Sequence, residues 1–177
     1  MRLFVALDLP CDVRVTLAAW ADATAPPAVR RVPAQNLHLT LAFLGSRDEE
    51  DAAAVGGLLA QVARPLPAQQ TAGALWLPPR RPGVLTVALR PGDELAALQA
   101  ALVAALAAAI GFQPERRAFR PHVTVGRVPR GTRIDARRPL EPAAPELSFR
   151  APALTLYRSH TGAGGARYEP LELVGLV

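Results

Sequence analysis

The spacing of apolar residues along the chain predicts a mixture of strands and helices. Alternating or continuous apolar runs predict strands at residues 2–8, 37–45, 70–77, 84–90, 119–128, 147–158 and 166–175. Apolar residues recurring every three or four positions predict three helices. These are residues 10–24, a helix that begins at the capping-box sequence 46–49 and ends before Pro65, and a helix capped by Asp93 that stops at Gly111. The sequence therefore predicts the α+β class.

The order strand, helix, strand occurs twice, at about residues 2–45 and 84–128. Each copy ends in a strand that carries a His-x-Thr motif at a similar distance from its start. We therefore expect one domain, residues 1–177, built from two related halves that face each other across a pseudo-twofold axis. Residues 129–145 contain four prolines and four arginines without an apolar period, which predicts a long exposed loop.

The two motifs place polar side chains on strands that are otherwise apolar. Residues i and i+2 of a strand point the same way, so His38 shares a face with Thr40, and His122 shares a face with Thr124. The residues at alternate positions are expected on the core face: Leu37, Leu39, Leu41 and Phe43 in the first strand, and Val123 and Val125 in the second. One histidine on a strand is more often a structural hydrogen-bonding group, but two such pairs in one short chain are hard to attribute to coincidence.

Two imidazoles and two hydroxyls suit reactions of phosphate esters. A neutral histidine can take a proton from a nucleophile while a protonated one gives a proton to the leaving oxygen, because the reference pKa of about 6.5 allows both forms near neutrality. Threonine hydroxyls can donate to phosphate oxygens, and arginine can offset the transition-state charge. No metal or cofactor is expected, because the motifs contain no acidic residue and no metal-ligand spacing of histidines.

Composition and charge narrow the choice of partner. The chain has a net charge of +5, its basic residues are all arginine, and Cys11 is its one cysteine, which excludes an internal disulfide or a multi-thiolate metal site. Eight arginines and one acidic residue lie between Arg116 and Arg138, which predicts a basic strip beside the histidines that is suited to an RNA backbone, with a solvated arginine-rich loop as the alternative. Aromatic residues make up 5% of the chain, so we expect no extended platform for stacking bases.

The motifs and their surroundings resemble the 2H phosphoesterase superfamily, and within it the RNA 2′,3′-cyclic phosphodiesterases, also called 2′-5′ RNA ligases. The similar segments are MRLFVALDLP, NLHLTLAFLG, RRPGVLTVALR, FRPHVTVGR and LTLYRSHTGAGGARYEPL. The resemblance implies a bilobal fold with two mainly antiparallel sheets, related by a pseudo-twofold axis around a central cleft, and with helices on the outside. It also implies metal-independent hydrolysis of RNA 2′,3′-cyclic phosphate ends to 2′-phosphates, and 2′-5′ ligation of RNA halves, such as tRNA halves, as the reverse reaction.

The resemblance also implies a role for each motif residue. His38 would be the proton donor, His122 the proton acceptor, and Thr40 and Thr124 the phosphate-binding residues. Arg127 would contact the phosphate as well. Its odd offset from His122 puts it on the opposite face of a regular strand, unless a bulge at Gly126 shifts the alternation by one residue.

Two other functions stay open from the sequence: a phosphodiesterase for small cyclic nucleotides, and a non-catalytic RNA-binding protein with the same fold. The apolar run before Asp8 is too short for a signal peptide, and the run at residues 95–110 is too short and too rich in alanine to span a bilayer. We therefore expect a cytoplasmic monomer that does not associate with membranes.

Overall fold

The computed structural model describes residues 1–115, 117–162 and 165–176, and this part of the chain has the predicted α+β fold. Its helices are α1 (Cys11–Thr24), α2 (Glu49–Val62) and α3 (Asp93–Ile110). Its strands are β1 (Arg2–Asp8), β2 (Arg30–Arg31), β3 (His38–Ser46), β4 (Gln69–Leu77), β5 (Val84–Leu89), β6 (His122–Arg127), β7 (Ser148–Phe149), β8 (Ala153–Gly162) and β9 (Gly165–Gly175).

The strands of the described residues form one antiparallel array in the order β7-β4-β5-β6-β3-β1-β8-β9, and β2 pairs with β6 beside this path. The half that contains β1 and β3 meets the half that contains β5 and β6 at one residue pair, Leu39 with Val123. The two sheets expected from the sequence are therefore joined at their centre, between the two strands that carry the His-x-Thr motifs.

The helices pack so that each half covers part of the other. Helix α1 contacts β6, helix α3 contacts β3, and helix α2 packs against α3 and the β8–β9 pair. The apolar stripe of α3, which includes Leu98, Leu102 and Leu106, is completely buried. The expectation that this apolar run is too short to span a bilayer is wrong by length and composition, since α3 has 18 residues and is apolar enough. In the fold its leucine stripe forms part of the protein core.

Several predicted boundaries differ from the structure for local reasons. Asp48 caps α2 by accepting a hydrogen bond from the backbone N–H of Asp51, so Ser46 is not the cap and instead ends β3. Helix α3 has Gly92 at its N-cap, and Asp93 is its first residue. The predicted strand 147–158 is divided into β7 and β8, between which Pro152 cannot donate a backbone hydrogen bond.

The segment between β6 and β7 was expected to be an exposed loop, which is correct for its backbone and wrong for its apolar side chains. It contains no helix or strand, yet Ile134, Leu140 and Leu147 pack against the core. The indole N–H of Trp20 in α1 donates to the carbonyl of Pro142 at 2.9 Å. These contacts, spaced too irregularly to show a period in the sequence, hold the segment against the helical side of the sheet.

Candidate active site

The pair Leu39–Val123 brings the two His-x-Thr motifs together. Because β3 and β6 are antiparallel, the register at this pair places His38 beside Thr124 and His122 beside Thr40 on neighbouring strands. Leu39 and Val123 are buried, so the four polar side chains lie together on the opposite face. The strand pairing therefore brings the two motifs together at the centre of the sheet.

Both histidine rings are oriented by the backbone carbonyl two residues before them. Nδ1 of His38 lies 2.8 Å from the carbonyl oxygen of Asn36, and Nδ1 of His122 lies 2.7 Å from that of Arg120. A carbonyl oxygen only accepts, so Nδ1 carries the proton of each neutral ring and donates it. The Nε2 atom of each ring is therefore the one that can exchange a proton with a substrate.

Aromatic rings surround His38. Phe4 stacks on it with ring centroids 4.8 Å apart, and Tyr168 meets it edge-on at 5.2 Å. Burial lowers the pKa of His38 to about 4, against the raising effect of the hydrogen bond to the Asn36 carbonyl. The positive charge of the Arg127 guanidinium lowers the pKa of His38 further. In the free protein His38 is therefore neutral at pH 7.

A β-bulge changes the face on which Arg127 lies. Thr124 is opposite Thr86 of β5, but Gly126 is opposite Leu85, so Val125 is an extra residue in β6. Arg127 consequently pairs with Val84, on the same face as Thr86 and Thr124. Strict alternation would have put Arg127 on the core side of the sheet. The bulge that the sequence allowed at Gly126 instead puts it on the side of Thr124.

Gly126 is needed beside this bulge because another segment crosses it closely. A Cβ atom at Gly126 would lie 2.6 Å from Cγ1 of Val29, which is closer than such atoms approach in proteins. The adjoining strand β2 pairs Arg31 with Gly126 and Arg30 with Arg127. The glycine therefore allows β2 to continue the sheet next to Arg127.

The first half contains a matching bulge, which corrects the expected position of Phe43. Ala6 of β1 pairs with Thr40, but Val5 pairs with Ala42, so Leu41 is the extra residue. Phe43 then pairs with Phe4 and lies on the face of His38, where it is 63% exposed. Phe43 and Arg127 are each the fifth residue after their histidine, so the two halves present an aromatic ring and a guanidinium at equivalent positions.

Sequence reasoning missed the aromatic group around His38. Phe4, Phe43, Tyr157 and Tyr168 are scattered along the chain, and β1, β3, β8 and β9 bring them together with centroid distances of 4.9–6.4 Å. The low aromatic content excluded a platform, but the few aromatic residues are concentrated at one place. The signal available in the sequence was Phe43, at the same offset from His38 as Arg127 from His122.

Asp8 anchors one side of this aromatic group. It pairs with His38 across β1 and β3, and its carboxylate accepts hydrogen bonds from Tyr157 at 2.7 Å and from Thr155 at 3.0 Å. Burial raises the pKa of the Tyr157 hydroxyl, and its bond to Asp8 raises it further, so the hydroxyl stays protonated and donates. The Tyr157 ring is thereby held in its stack on Phe4.

The remaining candidates lie elsewhere. Arg137 and Arg138 of the predicted basic strip border a cavity on the opposite face of the sheet from His122. The expectation that the whole strip lies beside the histidines is therefore wrong. Arg116 lies outside the described residues. The third histidine, His160, is in β8, and its Nε2 lies 2.6 Å from a carboxylate oxygen of Glu169. Among the residues the structure describes, no three acidic, histidine or cysteine side chains are grouped as a metal site.

Comparison with known proteins identifies the relatives of this chain. The sequence model of the 2′-5′ RNA ligase superfamily matches residues 9–163. The RNA 2′,3′-cyclic phosphodiesterase of Escherichia coli (strain K12) is 33% identical over 175 residues, which cover 97% of this chain and 94% of that protein. The enzyme of the same name from Methanocaldococcus jannaschii is 24% identical over 97% of this chain and 99% of its own length.

Solved structures give the same result. The crystal structure of E. coli LigT complexed with 3′-AMP superposes with a TM-score of 0.76 at 33% identity, covering 99% of this chain and 97% of that one. The crystal structure of TT0787 of Thermus thermophilus superposes with a TM-score of 0.76 at 28% identity, covering 99% and 98%. The match of the superfamily over most of the chain, together with these relatives, shows that the protein belongs to the 2′-5′ RNA ligase superfamily.

Proposed function

We propose that this protein hydrolyses the 2′,3′-cyclic phosphate ends of RNA to 2′-phosphates without a metal ion. It is an enzyme of the 2′-5′ RNA ligase superfamily, and its relatives are RNA 2′,3′-cyclic phosphodiesterases. The observation that carries the proposal is the pairing of Leu39 with Val123, because it puts both histidines and both threonines on one face at the junction of β3 and β6.

In the proposed reaction each histidine uses the Nε2 atom that its Nδ1 hydrogen bond leaves free. His122 accepts a proton from water as the water oxygen bonds to phosphorus. The bond from phosphorus to O3′ breaks, and His38 gives its proton to O3′, which leaves a 2′-phosphate and a 3′-hydroxyl. Thr40 and Thr124 donate to the non-bridging oxygens, and Arg127 offsets their charge.

His38 has to be protonated to act as the donor, although burial keeps it neutral in the free protein at pH 7. The substrate resolves this difference, since a cyclic phosphate carries one negative charge and favours the imidazolium beside it. We infer that His38 takes up its proton when the substrate binds. The general acid is therefore charged mainly while a phosphate occupies the site.

The exposed ring of Phe43 gives this site a surface for a nucleobase. It lies on the face of His38 and next to Phe4, so a base attached to the reacting ribose can stack there. Ligation through a 2′-5′ bond is the reverse reaction with the 5′-hydroxyl of a second RNA, such as a tRNA half, in the place of water. We further propose a soluble, cytoplasmic monomer that associates with RNA and not with membranes.

The test is incubation of the protein with an RNA that ends in a 2′,3′-cyclic phosphate, in the presence of EDTA. We expect a 2′-phosphate product at nearly the same rate as without EDTA. Loss of activity that zinc or magnesium restores would contradict the metal-independent reaction. Turnover of cyclic mononucleotides with none of RNA would favour a small cyclic-nucleotide phosphodiesterase, and binding without turnover would favour a non-catalytic RNA-binding protein.

A further inference from the structure

A second candidate binding site is a cavity of about 620 Å³ between β4 and the segment 136–146. None of the His-x-Thr residues borders it. On the strand side it is lined by Thr71, Ala74 and Trp76, and on the segment side by Arg137 and Arg138. Its volume lies in the range of sites that hold small ligands or short stretches of polymer.

Three arginines, from two separate parts of the chain, line this cavity. Arg90 follows β5, and Arg137 and Arg138 belong to a turn in the segment between β6 and β7. In this turn the backbone N–H of Arg137 donates to the carboxylate of Asp135, and that of Arg138 donates to its carbonyl. The ion pairs found among the described residues involve other arginines, and Glu146 is the one acidic residue in the lining. The cavity therefore has an excess of positive charge, which is suited to phosphate groups.

The cavity and the histidines lie on opposite faces of the sheet, and residues of β4 face each of these two sides. Trp76 is opposite Leu85, and the side chain of Leu85 is in the core. The side chain of Trp76 is therefore on the same face of the sheet, where it lines the cavity. Leu75 pairs with Thr86, which is opposite Thr124, and so faces the side of the histidines. A chain that passes over Leu75 and around β4 would go from the histidines to the cavity.

The exposure of Leu75 supports this path. Its side chain is 49% exposed although it is apolar, and it lies two strands from Thr124, which corresponds to about 10 Å at the usual strand spacing. Strand β4 pairs with β7 only at Gln69 and Gln70. Along the rest of β4, β5 is the only strand that pairs with it among the described residues. No further strand thus blocks the way around this side of β4.

We propose that the cavity bordered by Arg90, Arg137 and Arg138 binds backbone phosphates of single-stranded RNA whose cyclic end lies at the histidines. This inference rests on the proposed function. A free phosphate would need only one of these arginines, whereas the volume of the cavity, its three arginines and the exposed face of β4 fit several consecutive nucleotides. The cavity thus makes the enzyme favour long RNA over cyclic mononucleotides.

The test measures binding of oligouridylates of two and twelve nucleotides that end in a 2′-phosphate, by fluorescence anisotropy at several salt concentrations. The variant R137Q/R138Q is compared with R130Q/R133Q, which removes the same charge from the same segment outside the cavity lining. For the 12-mer we expect R137Q/R138Q to raise Kd at least about tenfold and to lower the salt slope by about 1.4, because two phosphate contacts are lost. R90Q, on a different element, should act in the same direction.

The other outcomes overturn the inference. Equal weakening by both double variants would show a general effect of charge, and no weakening by R137Q/R138Q and R90Q would show that the cavity does not bind RNA. An equally large effect on the dinucleotide would place these arginines at the reacting end. Thermal unfolding midpoints confirm that each variant is folded. Hydrolysis of cyclic UMP by the unsubstituted protein tests the proposed function separately, since a mononucleotide at the histidines does not reach the cavity.

Discussion

Leu39 and Val123 are paired at the centre of the sheet, and their pairing sets the positions of both histidines. The side chains of this pair point into the core, so the residues on either side of it point to the opposite face. The same arrangement puts a hydroxyl beside each imidazole: Thr124 beside His38, and Thr40 beside His122. The two halves thus contribute equally to one site, and each change below tests one part of it.

Replacement of Thr40 or Thr124 by valine, which keeps the shape and removes the hydroxyl, should lower kcat/KM by about 10- to 150-fold. The reason is the loss of a hydrogen bond to a charged phosphate oxygen, which contributes about 1.5–3 kcal/mol. Steady-state kinetics with a cyclic mononucleotide measure the effect. Thr16→Val, on the exposed side of α1, is the control, and an equal loss there would contradict the assignment.

The titration of His38 should be displaced in the free protein and should move on binding. Burial lowers its pKa to about 4, so between about pH 6.5 and 4 the unfolded chain takes up a proton that the folded protein does not. The free energy of unfolding should therefore fall as the pH falls through this window, and His38→Gln should reduce that dependence. Urea denaturation at several pH values measures it.

The same histidine gives a second reading by NMR. Binding of 2′-AMP should raise the pKa of His38 above its value in the free protein, since the phosphate stabilises the imidazolium. The pH profile of kcat should be bell-shaped, because one ring has to be protonated while the other is neutral. An ordinary pKa for free His38, an unchanged one with 2′-AMP, or a flat profile from about pH 5 to 9 would contradict this account.

Gly126→Ala should destabilise the protein and impair Arg127. The new methyl group would lie 2.6 Å from Val29, so β2 or the bulge has to move, and such overpacking costs about 1–3 kcal/mol. Gly175→Ala, also in a strand, is the matched control, because nothing lies within 4 Å of the position of its Cβ. The double variant V29A/G126A should regain stability and activity, and a failure to regain either would show that Val29 is not the obstacle.

Phe43→Ala should weaken substrate binding more than it slows the chemical step. Stacking of a base on an aromatic ring contributes about 1–3 kcal/mol, so KM should rise about 5- to 150-fold while kcat changes less. Phe43→Tyr should retain most of the affinity. Val15→Ala removes another exposed apolar side chain, at 57% exposure on α1, and should change neither constant. A fall in kcat at constant KM would exclude the stacking role.

The sequence predicted the four polar residues of the site because alternation on a strand is a local property. His38 and Thr40 share a face in the structure for the reason given by their spacing, and so do His122 and Thr124. The local pattern could not predict that the two motifs lie side by side. Their position depends on the pairing of Leu39 with Val123, two residues that are 84 positions apart in the sequence. The repeat of the motif, and the resemblance it carries, supplied that information.

The bulges mark the limit of alternation. At Gly126 the glycine indicates a break in the strand, and a bulge there moves Arg127 to the face of Thr124. At Leu41 no glycine or proline gives a warning, so Phe43 was assigned to the core and is in fact exposed beside Phe4. The segment 129–145 shows the opposite error, because its apolar residues follow no period yet pack on the core. In both cases tertiary contacts determined the result.

The central claim is that His38 and His122 act together on one phosphate, and a double-mutant cycle tests it most directly. His38→Ala and His122→Ala should each lower turnover of an RNA 2′,3′-cyclic phosphate by at least about a hundredfold, with unfolding midpoints that show a folded protein. If the two rings act as a unit, the double variant should be little slower than the slower single variant. Losses that multiply in the double variant would show that the histidines act independently, and would contradict the account.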